Sequence, residues 1–169
     1  MKMTELFLAQ LEREIAGTRN ALARVPEGKN DWKPHDKSMP LGYLAALVAT
    51  MPAWLEAMIK NDEIDFRAPH SYRTPDFNSN RELIEGFEKS VKSGRNALAG
   101  TTDEHLMTNW RMRAGEHIIS EQARYIVIQD TFTHLAHHRG QLRARRSRVP
   151  AHRSAEGKPS ADLDGAPNA

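Results

Sequence analysis

An all-α fold is predicted by three features of the 169-residue chain: apolar residues recur at helical spacing in four stretches, no strand pattern separates them, and the length suits one domain with a sizeable core. No internal repeat divides it. Residues 1–149 are expected to form a four-helix bundle, and residues 150–169 an extended or disordered tail with almost nothing to fill a core.

The first helix carries Leu8, Leu11, Ile15, Leu22 and Val25 on one stripe, with Thr4 as its expected N-cap and Pro26 and Gly28 closing it. A breaker-rich loop follows, from which Trp32 and His35 are expected to pack onto the bundle from outside. The second helix is expected from near Ser38, with Pro40 in its first turn and a stripe of Leu41, Leu44, Val48, Met51, Leu55 and Met58. Pro52 removes one backbone hydrogen bond inside that pattern and predicts a kink rather than an end.

Ser79 with Glu82 three residues on forms the signature of a capping box, and Leu83, Phe87, Val91 and Leu98 continue it as a third helix ending at Gly100. Beyond a connector that holds Trp110, Gly115 and His117, a fourth helix is expected from about Ser120 to Arg146, striped by Tyr125, Ile128, Phe132, Leu135 and Leu142.

Composition removes several chemistries. There is no cysteine, so disulfides, thiolate metal sites and a cysteine nucleophile are absent, and any metal must be held by nitrogen and oxygen. No glycine-rich phosphate loop, serine elbow or zinc-knuckle spacing occurs. No apolar run is expected to span a membrane, and charge arrives too early in MKMTELFLAQLERE for a signal peptide, so a cytoplasmic location is expected. Net charge is +2, but arginines crowd the segment from Arg139 to Arg153. With no aromatic residues interleaved, that run is expected to be a solvated helix end complementing the helix dipole, not a nucleic-acid surface.

The sharpest chemical feature is Asp130, His134 and His138, followed by Arg139, Gly140 and Gln141. Steps of four residues advance a helix by about 400°, so these three side chains stack on one face, each about 6 Å above the last. Two imidazoles at that spacing can grip one divalent ion, or can be polar residues hydrogen-bonded on a partly wet face. His137 is expected to be structural or exposed. Thr50 is expected to bond a backbone carbonyl within its own helix. Trp32, Trp54 and Trp110 are expected in packing, or lining a pocket or interface.

The run HLAHHRGQL at His134 to Leu142 resembles the signature of the DinB/YfiT-like superfamily, and PLGYLAALVATMPAWL at Pro40 to Leu55 resembles that family's second helix. Asp31 with Trp32, and GKPSAD at Gly157 to Asp162, extend the resemblance over nearly the whole chain. It implies an up-down-down-up bundle, a homodimer, and a divalent metal such as nickel or zinc held by three histidines, one from the second helix and two from the last. Some such proteins are thiol-dependent transferases acting on a small-molecule substrate with a low-molecular-weight thiol.

Carried over by position, the last-helix ligands are His134 and His138, while the second-helix ligand falls on Leu47. Leucine has no lone pair, so a substitute is required: Asp130, or a histidine reaching in from a loop, such as His35 or His117. Asp130 could equally orient an imidazole from outside the ligand set. Two functions are therefore expected. One is a metal-dependent transferase in which Arg139 holds an anionic thiol or substrate. The other is a non-catalytic dimeric binding or scaffold protein that has lost the metal.

Overall fold

The computed structural model describes residues 2–69 and 73–149. The tail expected over 150–169, with its GKPSAD segment, lies outside the described residues. Helix α1 spans Met3–Leu22 and buries Phe7, Leu11, Ile15, Thr18 and Leu22, the predicted stripe shifted slightly round the helix. Its start differs from the expected one, because Thr4 lies inside the helix. The open amides are taken from afar instead: the Asp103 carboxylate accepts from Met3 N–H at 2.9 Å and Thr4 N–H at 3.0 Å. These bonds hold the Asp103 carboxyl below its ordinary range, as expected for an anion at a helix N-terminus.

The second helical run begins at Leu41 rather than Ser38, with Pro40 at the cap position. It breaks where Pro52 predicts: α2, Leu41–Thr50, passes through a 3-10 turn at Met51–Ala53 into α3, Trp54–Lys60. Thr50 donates its hydroxyl to the Ala46 carbonyl at 2.8 Å, as expected. The most apolar stretch of Leu41–Lys60, with mean hydropathy 1.4, is long and apolar enough to match a membrane span, which corrects the reading of the sequence. In the fold, 67% of it is buried in the protein's own core.

Helix α4, Asn80–Ala99, starts where the capping box places it: Ser79 Oγ accepts from Glu82 N–H, and the Glu82 carboxylate accepts from Asn78 N–H. It lies hard against the proline kink. A Cβ on Gly94 would sit 2.4 Å from the Pro52 carbonyl oxygen, so glycine here permits the close approach of two backbones. A short helix, α5, covers Asp103–Leu106, and the last helix, α6, covers Arg124–Arg146.

The described residues are mostly helical but not all-α. A three-stranded sheet, ordered β1-β2-β3, is built from β1 Glu63–Asp65, β2 Asn109–Ala114 and β3 His117–Ala123. Strand β3 occupies the region expected to open the last helix, so α6 begins four residues beyond Ser120. The antiparallel β2-β3 hairpin turns at Gly115 and Glu116, and Gly115 has φ 62°, which glycine adopts without a Cβ penalty. Asp65 accepts from Gly115 N–H at 2.9 Å, tying the turn to β1, which pairs parallel to β2.

Two apolar clusters form the core. One joins α1, α2, α4 and α6 through Leu22, Leu44, Leu47, Phe87, Leu135 and Leu142. The other joins α1, α3, α5, β2 and α6 through Phe7, Leu55, Leu106, Trp110, Ile128 and Phe132. Between helix and sheet sits Arg124, 1% exposed. Its guanidinium donates to the carbonyls of Met58, Asn109 and Asn61 at 2.9, 2.9 and 3.2 Å, and also to Thr108 and Asp62. Such a charge is tolerated in the interior because its donors are matched.

Candidate functional site

A cavity of about 330 Å³ lies between α3, α6 and the sheet. Its walls follow from the local periods. Trp54, Ala57 and Met58 recur at three to four residues on α3, as do Val127, Asp130, Thr131 and His134 on α6, so each helix presents one face. On the sheet, Trp110 and Met112 alternate with Arg111 and Arg113 and therefore point the other way from them. The register sets Gln122 opposite Trp110, and Ser120 and Ile64 opposite Met112, so all five share the cavity face. The pairing skips Ile119 between Ser120 and Ile118, a bulge beside the site. Phe66, just past β1, completes the lining.

The opposite face of the sheet is ionic. Arg113 pairs with Glu63 at 2.8 Å and Arg111 with Glu63 at 3.6 Å. The cavity wall is mainly aliphatic and aromatic, with a few polar groups, the usual make-up of a small-molecule site. Trp110 is 4% exposed, and its buried indole N–H has no acceptor among the described residues.

His134 forms one end of this wall and belongs to a second arrangement. His138 Nε2 lies 2.7 Å from His134 Nε2, and His138 Nδ1 lies 3.0 Å from Gln141 Oε1. An amide oxygen only accepts, so His138 carries its proton on Nδ1 and offers a lone pair at Nε2. His134 must then donate its Nε2–H to His138. The Gln141 amide donates in turn to His137 Nε2 at 2.8 Å, so one glutamine fixes two imidazoles. His138 is buried, while His134 is exposed and its ring lies 5.9 Å from that of Trp54. Burial, then the neighbouring His138 and His137, push the His134 imidazole below its ordinary pKa, favouring the neutral ring.

The other expected site residues fall differently. Asp130 is exposed on the cavity wall one turn before His134, without a hydrogen bond or ion pair among the described residues. Leu47 is 8% exposed and belongs to the core cluster that contains Leu135 and Leu142, on the α6 face that also buries His138. His35 and His117 are exposed; His35 Nδ1 accepts from Lys37 N–H, and neither ring joins the pair. Arg139 faces α1 rather than the cavity: its guanidinium pairs with Glu14 and donates to Thr18 Oγ1 at 3.1 Å.

Among the described residues no three histidine, aspartate or glutamate side chains come together as a ligand set. The donor set is two imidazole nitrogens, one short of the three protein ligands a catalytic zinc takes. These residues therefore do not fit a resident catalytic metal. Sequence reasoning singled out the histidines and offered a pocket as one place for Trp54 and Trp110, but missed the sheet wall, Gln141 as the group that fixes the histidine tautomers, and Arg124. The alternation of Trp110 and Met112 with Arg111 and Arg113 is the local signal that would have revealed the sheet wall.

Fold and site together define a mostly helical protein with an apolar cavity edged by a hydrogen-bonded histidine pair. The chain has the DinB-like fold. It superposes on a DinB-like protein of Bacillus subtilis, YjoA, with TM-score 0.63 and 16% identity, covering 87% of this chain and 91% of that one. It superposes on a DinB-like protein of Bacillus cereus with TM-score 0.64 and 19% identity, covering 87% and 95%. No family model and no curated protein matches the sequence.

Proposed function

We propose that this protein is a metal-independent binder of a small, largely apolar molecule, which it takes into the cavity between α3, α6 and the sheet. One observation carries the reading: a cavity of about 330 Å³ lined by Trp54, Trp110, Met58 and Met112 opens beside His134, whose imidazole is committed to His138 rather than to a three-ligand metal set. The volume falls within the range of small-molecule sites, and apolar walls with a few fixed polar groups suit recognition by shape and desolvation. The reading takes the helical runs as an up-down-down-up bundle and the protein as a homodimer, following the DinB/YfiT resemblance.

The test is a screen of neutral aromatic fragments read on the three indole N–H signals of 15N-labelled protein. Binding is expected to move the Trp54 and Trp110 signals and leave Trp32, which packs elsewhere in the core, unmoved. Ala57→Trp, at an exposed position on the cavity wall, is expected to block the response. Fragments that move no indole signal, or that bind Ala57→Trp unchanged, would overturn the reading.

A second reading has one observation in its favour: the Nε2 atoms of His134 and His138 converge on one point of the helix face, 2.7 Å apart, and would need to open to roughly 3.3 Å to share one tetrahedral ion. On that reading the chain is a metal-dependent transferase using nickel or zinc on His134, His138 and Asp130, with a low-molecular-weight thiol. Metal titration of the wild-type protein separates the two.

A further inference from the structure

The cavity has a distinct charge as well as a shape. Of the described residues that line it, Asp130 is the one carboxylate, and no lysine or arginine lies beside it in the wall. Cations are directed elsewhere. Arg111 and Arg113 lie on the far face of the sheet, on Glu63 and Asp65. Arg124 is taken up by backbone carbonyls, Thr108 and Asp62, and Arg139 by Glu14 and Thr18. Asp130 itself has no ion-pair partner among the described residues.

Resting on the reading of this cavity as a ligand site, we propose that it selects an apolar molecule bearing a protonated amine, with the ammonium at Asp130 and the hydrocarbon body against the indoles of Trp54 and Trp110. A carboxylate beside a low-dielectric wall attracts a cation more strongly than it would in open water, and aromatic faces add to that attraction. An anionic ligand would be desolvated beside a like charge with no cation to meet it. The site therefore discriminates against anionic thiols and carboxylates.

The test uses three probes of matched size: phenethylamine, 2-phenylethanol and phenylacetate, titrated near pH 7.5, where the amine is protonated and the acid ionised. Affinities are read from the Trp54 and Trp110 indole signals. The amine is expected to bind at least about tenfold tighter than phenylacetate and several-fold tighter than the alcohol. Asp130→Asn, a change at an exposed residue, is expected to bring the amine and the alcohol to equal affinity. Equal or tighter binding of phenylacetate, or an amine preference that survives Asp130→Asn, overturns the charge selection while leaving the cavity a binding site. Failure of all three probes to move either indole signal overturns this proposal; failure of the cavity itself is shown separately by the neutral-fragment screen and Ala57→Trp.

Discussion

His134 Nε2–H donates a hydrogen bond to His138 Nε2 across 2.7 Å, and His138 is held ready to accept because Gln141 Oε1 accepts the hydrogen bond of its Nδ1–H. The polarity of this chain runs from the cavity wall into the helix. It gives His134 a fixed tautomer, with Nδ1 as its remaining lone pair.

The pair makes stability depend on pH in a defined direction. The His134 pKa is lowered in the fold from its ordinary value of 6.5, chiefly by burial. Between that value and the lower folded one, the unfolded chain binds more protons, so stability is complete above the ordinary pKa and falls as pH drops through this window. His134→Gln is expected to reduce the loss of melting temperature between about pH 7.5 and 5.5, before the carboxylates titrate. Equal losses in the two proteins would contradict the assignment.

Glycines on two helices predict opposite signs. Gly94→Ala forces a Cβ against the Pro52 carbonyl oxygen at 2.4 Å, a backbone atom that can yield only by moving the kink. The strain outweighs the helix propensity gained, and a net loss of about 1–2 kcal/mol is expected in urea unfolding. Gly140→Ala on α6 meets nothing within 4 Å and should stabilise by roughly 0.5–1 kcal/mol. The same sign for both would show that α4 does not press on the proline turn as described.

Arg124→Met removes the donors that satisfy three backbone carbonyls at the junction of α3, β2 and α6. The Met58 carbonyl is buried and the other two are part-buried, and an orphaned buried acceptor costs roughly 1–3 kcal/mol, so a loss of about 2 kcal/mol or more is expected by chemical denaturation. A change below about 1 kcal/mol would mean that water reaches these carbonyls.

Helix positions were legible because their signals are local: Pro52 kinks the second run, and Ser79 with Glu82 opens α4. The start of α1 was not, since its cap, Asp103, lies 100 residues from Met3 along the chain. The hairpin was hidden by charge: Arg111 and Arg113 mask the alternation of Trp110 and Met112, and Ile118 and Ile119 are about half exposed on β3. Spacing placed His134 above His138 correctly. It placed Arg139 nearby as well, but the guanidinium faces α1, a matter of helix packing that no local pattern records. The cavity draws its walls from three separate regions and had no single sequence signature.

The most direct measurement is a zinc titration of wild-type protein and Leu47→His, each purified without chelator. The wild type is expected to hold no stoichiometric metal. Leu47→His, which adds a nitrogen donor on the core side of the pair, is expected to bind one ion on the order of 100-fold more tightly, since roughly 10–16 kcal/mol of structural zinc affinity is shared among four ligands. One tightly bound ion in the wild type, lost on His134→Ala with His138→Ala, would contradict the metal-independent account.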